Sequence, residues 1–119
     1  MKRDQKLFDH DIQRVQMERA FIKQALEFFN GKWTLDIIYT VVNIKRPYYN
    51  EIQKTLPDVN SRTLSTRLKD LQQKGIIKQH VEKGQPIRVH YTMTEFGMGM
   101  FEMILPFIFY FILPKELKE

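Results

Sequence analysis

The chain has 119 residues with Lys+Arg 19 against Asp+Glu 14, a formal net charge of +5, 43% hydrophobic residues and no cysteine. That length is one domain's worth and buries roughly 65% of the unfolded surface, so a fold held together by disulfides or by a cysteine-rich metal centre is excluded and none is needed. The charge is uneven: residues 1–60 hold ten Lys/Arg against eight Asp/Glu, residues 61–90 seven against two, and residues 91–119 two against four.

No charged leader followed by an apolar stretch and a small-residue cleavage site opens the chain, so a cytoplasmic location is expected. From about Gln5 to Phe29 there is no Gly or Pro, and Phe8, Val15, Ile22 and Phe29 recur every seven residues with Ile12 and Leu26 between them. The spacing predicts a long amphipathic helix over 5–29, its opening turn frayed. Asp11, Glu18 and Arg19 interrupt the stripe, which leaves two uses for it, a dimer seam or packing on its own domain. His10, between Asp9 and Asp11, reads as a solvated helix face rather than as a metal ligand.

Asn30-Gly31 ends that helix, and a second is predicted from Trp33 to Asn43 with Trp33, Ile37, Ile38, Val41 and Val42 on a core face. Trp33 is assigned to packing and Lys32 to a phosphate contact. Tyr48-Tyr49, after Lys45-Arg46-Pro47, reads as an extended pair able to form a short third strand. Asn50 then caps a short helix, Glu51 to Leu56, and Pro57-Asp58-Val59 makes a turn.

Asn60 caps a longer helix that Gly75 ends. Leu64, Leu68 and Leu71 form its inward stripe; Arg62, Thr66, Lys69 and Gln73 lie opposite, flanked by Thr63 and Ser65, with no acid before Asp70. Such a face suits a groove lined by phosphates, and two helices at this spacing make a helix-turn-helix. Downstream, Ile77, Gln79, Val81 and Lys83 alternate with Lys78, His80 and Glu82, and Ile87, Val89, Tyr91 and Met93 resume the alternation after Gly84-Gln85-Pro86. This is a hairpin with a three-residue tip, Glu82 opposite Arg88 and His80 opposite His90. Zinc needs three or four ligands, so the facing histidines are not assigned a metal.

Thr94 caps a last helix, about 94–113, that runs through Gly97, Gly99 and Pro106. From Met103 to Leu113 it is apolar nearly all round, too short a run for a membrane span, and is assigned to a partner surface. Met93, Met98, Met100 and Met103 gather near it, which leaves two uses for them, the lining of an adaptable pocket or, the commoner case for methionine, the core.

The fold expected is therefore mainly α with a small β-hairpin, an α+β winged helix-turn-helix forming one domain over 1–119 and assembling as a dimer. Gly31-Lys32-Trp33, the segment Tyr48 to Pro57, the segment Ser61 to Gly75 and the segment Pro86 to Gly97 carry a family resemblance. From Gly31 to about Phe101 the chain resembles the HxlR-type winged-helix transcription regulators. The resemblance implies a dimeric DNA-binding regulator, usually of a neighbouring operon. Many members have a cysteine upstream of the Gly-Lys-Trp motif that senses oxidants or electrophiles; this chain has none, which excludes a thiol switch.

The residues expected to meet double-stranded DNA are Arg62, Thr63, Ser65 and Thr66 near base edges, and Lys69, Lys78, Lys83, Gln85, Arg88 and Lys32 nearer phosphates. Arg67 is expected to clamp a phosphate or brace the fold. The homodimer seam is expected from Phe101, Ile104, Leu105, Ile108, Phe109 and Ile112, with Phe8, Val15 and Ile22 contributing. No cofactor, metal or membrane partner is expected, and an effector is left unassigned. A different reading, a winged helix used as a protein-interaction or architectural module, makes the apolar tail the functional surface. An enzyme is disfavoured: the chain lacks a phosphate-binding Gly-rich loop, an HExxH motif and a cysteine nucleophile.

Overall fold

The computed structural model describes residues 2–29 and 31–118. The chain divides into two compact units, Met1–Lys32 and Trp33–Glu119.

The first unit is helix α1, Lys2–Phe28. It starts three residues before the expected boundary, because nothing in Lys2 to Gln5 breaks a helix and Asp4 complements the positive N-terminal dipole. Arg14 lies 3.6 Å from Asp11 and 4.0 Å from Glu18, and Gln5 donates to Asp9 across one turn. Phe8, Val15 and Ile22 stand on its surface at 61%, 50% and 57% exposure. Asn30, the expected terminator, lies outside the described residues.

The second unit begins at a strained corner. Trp33 occupies the N-cap of α2 (Thr34–Asn43) with φ of 79°, and its side chain makes no capping bond. A bulky residue in left-handed backbone costs on the order of 1 kcal/mol and persists only where its surroundings impose it. The helix therefore starts one residue later than expected. Ile37, Ile38 and Val41 are buried along it, together with Thr34 and Thr40.

Helix α3 spans Tyr49–Thr55, and here the expected boundary and cap are both corrected. Its N-cap is Tyr48, in extended conformation, and Asn50 is already helical. The reason is tertiary: Tyr48 forms a single antiparallel bridge with His90, while the Tyr91 amide donates to the Pro47 carbonyl at 3.1 Å. The anticipated third strand is reduced to this one bridge, since Tyr49 has turned into the helix.

Helix α4, Ser61–Gln73, has the expected cap, with Asn60 Oδ1 accepting from the Thr63 amide at 2.8 Å. Gly75, at φ 74°, makes the left-handed exit. Leu64, Leu68 and Leu71 are at most 1% exposed and, with Ile37, Ile52 and Ile76, form the centre of the unit. Each such side chain contributes about 2 to 3 kcal/mol through removal from water.

Strands β1 (Ile77–Glu82) and β2 (Arg88–Met93) form the antiparallel hairpin in the expected register, Glu82 with Arg88 and His80 with His90. Pairing stops at Glu82 and Arg88, so the tip takes in Lys83 to Ile87 rather than only the three residues expected.

Helix α5, Glu95–Ile112, is capped as expected: Thr94 Oγ1 accepts from the Gly97 amide at 2.9 Å and donates to the Gly75 carbonyl. Phe101 is 6% exposed, its ring centroid 6.2 Å from that of Tyr39. It is thus spent inside its own chain and is withdrawn from the expected dimer seam. Ile104, Leu105 and Ile108 are half-buried, and Phe109 and Ile112 are exposed. By length and composition alone α5 is long and apolar enough to cross a membrane, with mean hydropathy 1.5 over 18 residues. A four-residue helix α6, Lys115–Lys118, follows.

Candidate nucleic-acid interface

Because its leucines fix α4 rotationally, the opposite face is presented to solvent: Arg62, Ser65, Thr66 and Lys69 are all exposed. Thr63 and Arg67 are half-buried at the margins of the leucine stripe. Between α4 and the hairpin lies an open groove of about 830 Å³. Ser65, Lys69, Gln72 and Gln73 line its helical wall, Gln79, Arg88, Val89 and Tyr91 its hairpin wall, and Tyr48, Tyr49 and Asn50 its end. None of the lining residues is an acid. A channel whose walls offer amides, phenols and two cations, Lys69 and Arg88, is chemically matched to an anionic backbone.

The two walls are joined. Gln72 Nε2 donates to Gln79 Oε1 at 3.4 Å, from α4 to β1. Tyr49 at the start of α3 lies 3.1 Å from both the Ser61 carbonyl and Ser65 Oγ. Tyr91 is buried, and burial holds its phenol above the ordinary ionisation range.

Arg88 is held in place at the groove's edge. Its guanidinium carbon sits 3.7 Å from the centre of the Tyr48 ring, and it lies 3.8 Å from Glu51 Oε1. Although Glu82 is its cross-strand neighbour, that carboxylate accepts from the Tyr48 hydroxyl at 2.9 and 3.0 Å and lies 3.5 Å from His90 Nδ1. The bond to Glu82 is the main cause that keeps Tyr48 protonated above the ordinary phenol range, with burial second. His80 and His90 stack with ring centroids 4.6 Å apart and planes 11° apart, and His80 Nε2 lies 2.7 Å from Thr92 Oγ1. Among the described residues no three His, Cys, Asp or Glu side chains converge as a metal site.

The fold thus brings Ser65, Lys69 and Arg88 to one groove and leaves Lys83 and Gln85 exposed at the hairpin tip and Lys78 exposed on β1. Lys32 belongs to the other unit. Sequence reasoning missed Tyr49, Gln72 and Gln79 as groove residues. Gln79 carried a signal, since it is a polar residue in the alternation that Ile77 and Val81 share, and its cross-strand partner is Tyr91.

A model of the HxlR-like helix-turn-helix family matches residues 28–111. A Bacillus subtilis protein described as an uncharacterized HTH-type transcriptional regulator, YdeP, is 32% identical over 95 residues, covering 80% of this chain and 73% of that one. Among solved structures, a transcriptional regulator assigned to the MarR family from Porphyromonas gingivalis W83 is 34% identical, with a TM-score of 0.63 over 73% of this chain and 80% of that one. The reduced form of the transcriptional regulator YodB from B. subtilis is 26% identical, with a TM-score of 0.65 over 74% and 85% of the two chains. The family match spans the α2 to α5 fold, the groove and the helix-turn-helix that forms its wall, and the chain is a member of the HxlR-like helix-turn-helix family of transcription regulators.

Proposed function

We propose that the protein is a cytoplasmic regulator that binds double-stranded DNA sequence-specifically, as a homodimer on a pseudo-palindromic operator. The observation that carries this reading is the acid-free groove between α4 and the hairpin, flanked by the exposed Arg62 and Thr66 on one side and by Lys83 and Gln85 at the tip on the other. With α4 in the major groove, Arg62, Thr63, Ser65 and Thr66 meet base edges, while Lys69, Arg88, Lys78, Lys83 and Gln85 follow the flanking backbone. Arg67, beside the core stripe of α4, clamps a phosphate or braces the fold, and Lys32 is an additional phosphate contact. The second copy covers the apolar surface of Ile104, Leu105, Ile108, Phe109 and Ile112, with Phe8, Val15 and Ile22 of α1 as a further contribution. No catalytic step is assigned to any residue.

The roles separate by experiment. Operators are first selected from fragments of the host genome, and binding is then measured against salt. Lys83→Ala weakens operator and random DNA alike and lowers the salt slope by about one unit, whereas Arg62→Ala costs roughly 1 to 3 kcal/mol on the operator and less on random DNA. Equal losses by both variants on both DNAs would overturn the assignment of roles. No loss by either would overturn DNA binding through this face.

A further inference from the structure

The hydroxyl protons at the front of α4 are already committed. Tyr49 lies 3.1 Å from the Ser61 carbonyl and 3.1 Å from Ser65 Oγ. A phenol has one proton to give and a carbonyl none. The Tyr49 hydroxyl therefore donates to Ser61, and the bond to Ser65 is made by the Ser65 proton on the Tyr49 oxygen. One residue further on, Thr66 donates its own proton to the Arg62 carbonyl at 2.9 Å. Both side chains remain exposed, with lone pairs as their outward hydrogen-bonding capacity.

Serine and threonine ordinarily read a base as either donor or acceptor. Here the choice is removed before DNA arrives. We infer, resting on the DNA-binding reading above, that Ser65 and Thr66 are acceptor-only readers of exocyclic amino groups, and that Tyr49 is the positioning residue that sets the polarity of Ser65. In the major groove those amino groups are adenine N6 and cytosine N4. Guanine and thymine turn acceptors toward the same oxygen and are rejected. The strand facing each hydroxyl therefore carries adenine or cytosine, and the operator half-site shows that two-base degeneracy at the contacted positions.

The test uses the full chain. Duplexes are selected from a random library by wild type, Tyr49→Phe and Ser65→Ala, and the wild-type site is then remade with purine for each adenine, or 2-pyrimidinone for each cytosine, one position at a time. Each replacement deletes only the amino group. In wild type at least one position per half-site loses binding about tenfold, the scale of one base-edge hydrogen bond. Tyr49→Phe frees the Ser65 proton, so at that position the loss falls to about twofold or less and guanine or thymine enters the selected consensus. Ser65→Ala loses the same sensitivity without admitting a donor, and it carries the test for Ser65 should Tyr49→Phe melt well below wild type. A purely structural role for Tyr49 would weaken every site without changing base preference at one. The inference is overturned if wild type selects a consensus with no amino-sensitive position, or if folded Tyr49→Phe keeps the wild-type preference. If wild type selects no sequence at all, the DNA-binding reading itself fails, a result distinct from the other two.

Discussion

Alanine at Gly97 tests how α5 is docked, and Gly99 supplies a control on the same helix. A Cβ at Gly97 would be driven into the Ile76 carbonyl oxygen, with the Ile76 carbonyl carbon at 3.0 Å and Met93 Cε at 3.1 Å. The methionine tip can move, but the carbonyl cannot easily do so. It sits at the junction of α4 and β1, beside an Ile76 side chain only 1% exposed, and accepts from the Thr94 amide at 3.1 Å, while Thr94 Oγ1, which donates to the neighbouring Gly75 carbonyl, lies 3.2 Å away. Relief therefore requires α5 to back away from the hairpin, loosening those two bonds and the seat of Phe101. Overpacking of this kind costs about 1 to 3 kcal/mol and a weakened hydrogen bond about 1 more, so Gly97→Ala is expected to destabilise by roughly 2 to 4 kcal/mol. A Cβ at Gly99 would meet nothing within 4 Å, and replacing an interior helix glycine there stabilises by roughly 0.5 to 1 kcal/mol. Urea titration of the three proteins reads the difference directly, and thermal melting shows a drop of the order of 10 °C for Gly97→Ala. If the two substitutions changed stability equally, α5 would not be seated on Ile76 as described.

Three further outcomes are expected. Ile108→Asp together with Ile112→Asp yields a monomer or an insoluble protein by light scattering, and any soluble monomer keeps only weak half-site binding; a soluble double variant that stayed dimeric would move the seam elsewhere. Oxidants and thiol-reactive compounds at doses that spare methionine leave DNA binding unchanged, because there is no cysteine to modify, and a loss that reductant reverses would contradict this. The hydrogen bond to Glu82, then burial, holds the Tyr48 phenol above its ordinary value, so the folded chain keeps a proton that the unfolded chain loses near pH 10. That contribution is fully present below about pH 10 and is lost as pH rises through the folded value. Tyr48→Phe should make the alkaline limb of the stability profile shallower, and an unaltered limb would count against the bond.

What could be read from the sequence was what local chemistry decides. Asn60, the three leucines and Gly75 mark both ends and the inner face of α4 within sixteen consecutive positions, and the structure places all of them as expected. The hairpin register was legible for the same reason, since strict alternation on both sides of Gly84-Gln85-Pro86 leaves one pairing that keeps Tyr91 inward. The start of α3 was not legible, because Tyr48 is extended through its bridge to His90, a partner distant in sequence. Nor was the left-handed Trp33, a conformation for which no residue at that position gives a signal. Of the residues that line the groove, the cations Lys69 and Arg88 were legible by type. Tyr49 was missed because its place in the groove comes from the way α3 packs beside the first turns of α4.

Helix α5 has two halves with different environments, and the division favours a second copy of the chain, as proposed, over a bilayer as the cover of its outer end. The first half is anchored: Thr94 bonds to Gly75 and Ile76, Gly97 is pressed on Ile76, and Phe101 is buried. Beyond Phe101, Met103, Phe107 and Phe111 are 81%, 63% and 65% exposed. A bilayer would have to take up this end alone, and the part of the helix beyond Phe101 is only about 16 Å long at 1.5 Å per residue, roughly half of a 30 Å hydrocarbon core. That outer part already carries Glu102, and drawing the first half in as well would also bury Glu95 in hydrocarbon and strip α5 from the hairpin. A second copy of the chain makes neither demand. In the proposed dimer it covers the apolar end about a two-fold axis, leaves the anchored half in place, and relates two α4 helices by the symmetry of a palindrome. For adjacent half-sites on one face of the duplex their separation is about 34 Å, one helical turn of DNA, or a multiple of it. The anchoring of the first half then matters for binding as well as stability, because any rotation of α5 on Ile76 would be passed to the spacing of the recognition helices.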